Sequence, residues 1–241
     1  MRFVNPKRIL FFWKKNYRMS DTLLAVIQGA PPFPLLGKNY GPDDYAPVDL
    51  SVEQEKCTTF GVHTFTGLER YIAHCHQQKQ ARVLYGGYLE NRALYQRSSH
   101  FTNPETARTI HLGLDLWEKA GTPVFAPLAG RVHSFQYNDK PLDYGGTIIL
   151  EHQLQGLSFH TLYGHLSKDS LSGLQKRQPI RQGQEIARFG APEENGGWVP
   201  HLHFQIVIDI EGMQGDYPGV CAKKDVKKYR NNCPDPAVFL V

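Results

Sequence analysis

The sequence has no long apolar run near its start. The longest strongly apolar stretch there, Ile9 to Trp13, is five residues, against about 7 to 15 for a secretory core and about 20 for a membrane-spanning helix. Neither export nor membrane insertion is encoded by that stretch. The expectation is a cytoplasmic location, with a periplasmic or extracellular one as the alternative. CxxC spacing is also missing among the four cysteines, Cys57, Cys75, Cys221 and Cys233, which argues against a zinc knuckle or a thioredoxin-like redox pair. Cys221 and Cys233 could pair in an oxidising compartment, and buried or surface thiols are the default otherwise. A stripe of clustered Lys and Arg is missing too. The formal charge is +4, yet Met1 to Arg18 carries six basic residues and no acid, so the rest of the chain stands at −2. A near-neutral remainder speaks against a nucleic-acid groove.

What is present divides the 241 residues into four parts. Residues 1–18 read as a basic extension expected to be disordered, because Met19-Ser-Asp-Thr-Leu resembles an ordinary start. Residues 19–108 read as an N-terminal arm and helix region. Its 20–50 portion is rich in Pro and Gly, which favours an extended wrapping segment. The run Gly67 to Arg82, with Leu68, Tyr71 and Ile72 among polar residues, predicts an amphipathic helix. From Val83 onward short apolar runs alternate with Gly, Pro, Asn and Asp, the texture of antiparallel β structure. Gly121-Thr-Pro-Val-Phe-Ala is faintly echoed by Gly183-Gln-Glu-Ile-Ala.

Two segments carry chemistry. In His111-Leu-Gly-Leu-Asp-Leu116, strand alternation places His111, Gly113 and Asp115 on one face and the three leucines on the other. Full extension would separate the His111 and Asp115 Cα atoms by ~13 Å, too far for both to reach one ion, so the chain must curl at Gly113. In His201-Leu-His-Phe-Gln-Ile-Val-Ile208, His201, His203 and Gln205 share a face, with the two histidines ~6.6 Å apart at Cα. Two histidines and a carboxylate leave a fourth tetrahedral position open, as in a catalytic zinc site. Among eleven histidines some pairs arise by chance. His74-Cys-His76 is read as a helix surface, since residues i and i+2 do not face each other there.

These residues resemble the M23, or lysostaphin-like, zinc endopeptidases that cut peptide cross-links of bacterial cell walls. The resemblance runs through His111-x-Gly-x-Asp115, Gly121 to Val132, Ile149-Leu-Glu-His152, Tyr163-Gly-His-Leu166, Gly183-Gln-Glu-Ile186 and His201-Leu-His-Phe204, six motifs between residues 109 and 208. It implies that zinc is the cofactor, that His111, Asp115 and His203 are its ligands, and that His165 and His201 are catalytic beside the water the zinc activates. The choice of His203 over His201 comes from the resemblance, not from spacing. His152 matches a position where the family often carries histidine and is read as framework. The C-terminal stretch with Asp216-Tyr-Pro-Gly-Val-Cys221 and Cys233-Pro-Asp-Pro236 is similar to M23-like units found within larger proteins that also carry an aminotransferase.

The expected fold is mainly β, a β-rich α+β chain with an antiparallel sheet core of the lysostaphin-like, duplicated hybrid motif type and a partly helical N-terminal region. The M23-like metallopeptidase domain is expected over 109–208 and a C-terminal extension over 209–241. The expected function is a zinc-dependent endopeptidase acting on a peptide or peptidoglycan cross-link, with no nucleic acid and no membrane span. Two alternatives are a binding or regulatory module without turnover and a phosphotransfer or carrier module. The missing hairpin lysine and the Asp115 carboxylate beside the histidines count against the carrier.

Overall fold

The structure, a computed structural model, describes residues 19–92, 94 and 107–240. The basic extension 1–18, and most of the apolar run Ala93 to Tyr95, lie outside the described residues. The chain opens with helix α1 at residues 19–28, which corrects the expectation of an extended arm from residue 20. Leu23 and Ile27, four apart, form a buried apolar stripe, and the breakers begin only at Gly29. The irregular segment runs from there into a short strand, β1 (Tyr45–Pro47). Helices α2 (Glu55–Phe60) and α3 (Phe65–Lys79) follow. Helix α3 starts two residues before the predicted Gly67, because the Thr64 hydroxyl caps it by accepting from Gly67 N at 3.0 Å. It ends at Gln80 in the left-handed conformation.

The strands are β2 (Val83–Gly86), β3 (Arg108–His111), β4 (Leu114–Trp117), β5 (Pro123–Phe125), β6 (Gly130–Asn138), β7 (Gly145–Leu154), β8 (Leu157–Leu166), β9 (Pro179–Ile180), β10 (Glu185–Arg188), β11 (His201–Val207) and β12 (Val220–Ala222). A last helix, α4, spans Val226–Asn232. Eight strands form one sheet in the order β1-β2-β4-β11-β8-β7-β6-β9. It is antiparallel except for the parallel β1–β2 pair at one edge, so the sheet is mixed. The two segments that echo each other in sequence become β5 and β10, paired antiparallel in their own two-stranded sheet, with Gly121 and Gly183 at positive φ in the turns before them.

The predicted curl between His111 and Asp115 is a change of sheet. Strand β3 pairs with β12, whereas β4 joins the large sheet. Leu114 and Leu116 therefore enter the main core, while Leu112 packs with Ile110 and Cys221 in a separate cluster, not on one face with them as simple alternation implied. Gly113 is required by close approach: a Cβ there would lie 2.6 Å from His203 Cε1. Strand β11 keeps its alternation, with Leu202, Phe204 and Ile206 in the main core and the histidines on the opposite face. All four cysteines are buried and free. Among the described residues no helix is long and apolar enough to cross a membrane.

Candidate metal centre

Strand register assembles the site. His203 on β11 lies opposite Asp115 on β4 and Gly164 on β8, and His201 lies opposite Trp117. Residues directly opposite in an antiparallel pair share a face. Asp115 and His203 therefore stand side by side, and the curl after β3 brings His111 over them. Among the described residues His111, Asp115 and His203 are the one group of three such side chains whose ligand atoms lie within 4.8 Å of one another.

Hydrogen bonds behind the rings assign their tautomers. His111 Nδ1 faces the Gly87 carbonyl at 2.9 Å, so it donates there and leaves Nε2 with a lone pair. His203 Nε2 faces Gln205 Oε1 at 2.9 Å. The Gln205 amide nitrogen donates to Pro218 O and Cys233 Sγ, which fixes that oxygen toward the ring. His203 Nδ1 is then also a bare lone pair. The inward atoms form a triangle: His111 Nε2 to His203 Nδ1 is 2.9 Å, His203 Nδ1 to Asp115 Oδ1 is 3.2 Å, and His111 Nε2 to Asp115 Oδ1 is 3.3 Å. Three lone pairs at these distances repel unless a cation lies among them. A tetrahedral zinc with ligands at about 2.0–2.1 Å sets its ligand atoms about 3.3 Å apart, so the donor set and its spacing fit that ion.

Two further histidines are anchored in the same way. His165 donates from Nδ1 to Asn195 O at 2.9 Å and His201 from Nδ1 to Val199 O at 2.7 Å. Their rings lie 4.2 Å apart, and His201 stacks on Trp117 at 5.7 Å. His201 Nε2 is 4.0 Å from Asp115 Oδ2. His165 reaches this face through a bulge. Register between β7 and β8 shifts between Gly146 and Ile148, and His165 itself sits at φ +62°. Without the extra residue, alternation after Tyr163 in the core and Gly164 on the site face would turn His165 into the core.

Electrostatics keep the His111, His165 and His201 rings neutral. Burial pushes His111 down to about 3, with Arg92 adding to the effect and Asp115 opposing it. Burial and then the neighbouring His201 hold His165 well below the usual imidazole range, and burial likewise lowers His201. For Asp115 burial acts to raise the carboxyl, yet Arg92, His111 and His201 together outweigh it and hold the group well below the usual carboxylate range.

The site opens into a cavity of about 580 Å³, whose walls include the β6–β7 connection at Leu142 and Tyr144 and the segment from Met213 to Val220. That volume falls within the range of ligand pockets. Two residues outside the sequence motifs also reach the site: Arg92, whose Nη1 is 2.5 Å from Asp115 Oδ2, and Tyr144, whose hydroxyl is 3.4 Å from His203 Nε2. Neither lies in a motif that could have signalled it. His152 is framework: its ring nitrogens face Ala129 O at 2.9 Å and Thr161 Oγ1 at 2.7 Å. His74 packs on the Phe60 ring and His76 Nδ1 faces Ala81 O at 2.9 Å, outside the site.

Residues 109–215 match peptidase family M23. The chain is similar to a zinc-containing peptidase from Vibrio cholerae, at 29% identity and a TM-score of 0.34, over 43% of this chain and 31% of that one. It is similar to the catalytic domain of the antimicrobial peptidase lysostaphin from Staphylococcus simulans at 22% identity and a TM-score of 0.39, over 60% and 91% of the two chains. For Csd3 from Helicobacter pylori the identity is 27%, the TM-score 0.33 and the coverage 51% and 30%. The chain thus spans under a third of the Vibrio cholerae and Helicobacter pylori proteins. No curated protein matches it. Over residues 109–215, then, the chain is similar to peptidase family M23.

Proposed function

We propose that this chain is a zinc-dependent endopeptidase that hydrolyses a peptide bond, in a free peptide or in a peptidoglycan cross-link, without a covalent enzyme intermediate. The observation that carries the proposal is the convergence of three lone pairs from His111, Asp115 and His203, each ring held by an acceptor behind it. These three residues would hold the ion. When bound, zinc supplies water activation near neutral pH and polarisation of the scissile carbonyl.

The chain's own groups supply the rest. His165 and His201 each have Nδ1 committed to a backbone carbonyl, so Nε2 is the atom that can take or give a proton. Because burial keeps both rings neutral, each can accept a proton at pH 7 and return it to the leaving amine. Once protonated, either ring is also a donor to developing negative charge on the carbonyl oxygen. Trp117, stacked on His201, limits the rotation of that ring.

Elemental analysis of the purified chain, with cleavage assays on Gly- and D-Ala-containing peptides and on peptidoglycan fragments, tests this reading. One zinc per chain is expected, and His111→Ala, Asp115→Ala and His203→Ala should each strip it. His165→Ala and His201→Ala should keep the metal and lose ~10²-fold or more in turnover. Stoichiometric zinc in the first three variants would refute the ligand assignment. Unchanged rates in the last two would remove their catalytic role. Zinc binding with no cleavage of any substrate would favour the binding-module alternative.

A further inference from the structure

The metal centre has supports outside the M23 segment. The loop that leaves β2 carries Gly87 and Arg92, both before residue 109. Arg92 is only 2% exposed. Its Nη1 meets Asp115 Oδ2 at 2.5 Å, its Nε meets Glu90 Oε2 at 2.8 Å and its Nη2 meets Gly86 O at 3.4 Å. Asp115 thus divides its two oxygens: Oδ1 faces His111 and His203, and Oδ2 faces the guanidinium.

We propose that Arg92 is a positioning residue for the metal centre, holding Asp115 Oδ2 so that the carboxylate offers the ion Oδ1 alone. This inference rests on the zinc reading above. A guanidinium suits the task because its planar fork fixes direction as well as charge, which an ammonium does not. Glu90 matters equally: it offsets the Arg92 charge, so the guanidinium orients Asp115 without cancelling the negative charge that attracts the ion. Glu90 is itself pinned, since Oε1 accepts from Leu50 N at 2.9 Å.

The loop's backbone is tied to β3. Leu89 N donates to His111 O, His111 N to Glu90 O and Arg92 N to Thr109 O, each at 2.9 Å. Gly87 serves His111 directly and Asp115 through Arg92. Its carbonyl accepts from His111 Nδ1, and at φ +101° a Cβ on it would lie 1.9 Å from Arg92 Nη2. Any side chain at position 87 would have to displace the guanidinium. One loop therefore orients two of the three ligands from behind, the arrangement that fixes ligand geometry in metal sites.

The test uses the full chain as wild type, Arg92→Lys, Arg92→Gln and a control, Arg131→Gln, which breaks the exposed Arg131–Glu151 pair on β6 and β7. Zinc dissociation is measured by competition with a chromophoric chelator at constant pH, and visible spectra are recorded after Co²⁺ loading. Arg92→Lys and Arg92→Gln are expected to bind zinc about 10- to 100-fold more weakly. Their Co²⁺ bands should lose intensity as the freed carboxylate turns bidentate and coordination number rises. Arg131→Gln should match wild type in both. If Arg92→Gln does not fold, Arg92→Lys decides alone. Wild-type affinity and an unchanged Co²⁺ spectrum in Arg92→Lys overturn the inference while leaving the zinc reading intact. A wild-type chain that binds no zinc overturns that reading and this inference with it.

Discussion

His165 is the residue at which local energetics and the proposed function pull apart. A non-glycine residue at φ +62° costs on the order of 1–3 kcal/mol and persists only where its surroundings over-determine it. Here they do: His165 N donates to Tyr144 O at 2.8 Å, its carbonyl accepts from Gly190 N at 2.9 Å, and its ring nitrogen is tied to Asn195 O. The strain turns an imidazole toward the site that regular alternation would have sent into the core. His165→Gly and His165→Ala both delete the ring, but only Gly relieves the backbone. Chemical denaturation should therefore find His165→Gly more stable than His165→Ala by about 1 kcal/mol, with both equally impaired in turnover. Equal stabilities would mean that the left-handed conformation carries no strain.

Helices α2 and α3 support the edge of the sheet nearest the site. Their buried residues Cys57, Leu68, Tyr71, Ile72 and Cys75 share one cluster with Leu84 on β2, Trp117 on β4, and Trp198. Trp117 in turn stacks on His201, and the Arg92 guanidinium carbon lies 5.7 Å from the Trp117 ring centroid. The N-terminal cap of α3 is tight: the Thr64 hydroxyl accepts from Gly67 N, and a Cβ at Gly67 would lie 2.0 Å from Gly61 O. Replacing Thr64 with Ala removes that acceptor and should cost about 1 kcal/mol of unfolding free energy, with an upper bound near 2. The expected signature is a lower denaturant midpoint with zinc affinity unchanged, because the cap lies remote from the ligands. A shift in zinc affinity as large as that of Arg92→Lys would show the helices to be coupled to the centre more directly than packing implies.

At the scale of the whole molecule, pH reaches the fold through its buried histidines. His152 is 1% exposed, and burial pushes it down to about 4. An imidazole of ordinary value near 6.5 in the unfolded chain binds its proton more readily than the folded one, so the folded state is favoured fully above about pH 6.5. That contribution is lost as pH falls toward 4, by up to about 3 kcal/mol. Urea midpoints for zinc-free protein between pH 7.5 and 4.5 should fall more steeply for wild type than for His152→Gln. Parallel slopes would mean that His152 is not held neutral.

Much of the centre was legible along the chain because strand alternation is a local property. His201, His203 and Gln205 were separable from Leu202, Phe204 and Ile206 by period alone, and β11 keeps that division. The need for a break between His111 and Asp115 was legible from chain length, although the reason for Gly113 was not. That reason is the His203 ring packed against it from 90 residues away. Helix α1 was hidden because its short Leu23–Ile27 stripe precedes a breaker-rich segment and becomes useful only against the main core. Arg92 and Asp115 are 23 residues apart, and no local period links them. Spacing could not distinguish His203 from His201, whereas pairing sets His203 opposite Asp115 and His201 opposite Trp117. Which residues face which side of a strand is written in its own alternation. Which of them meet across strands depends on register, which the side chains of β4, β8 and β11 settle together and none of them carries alone.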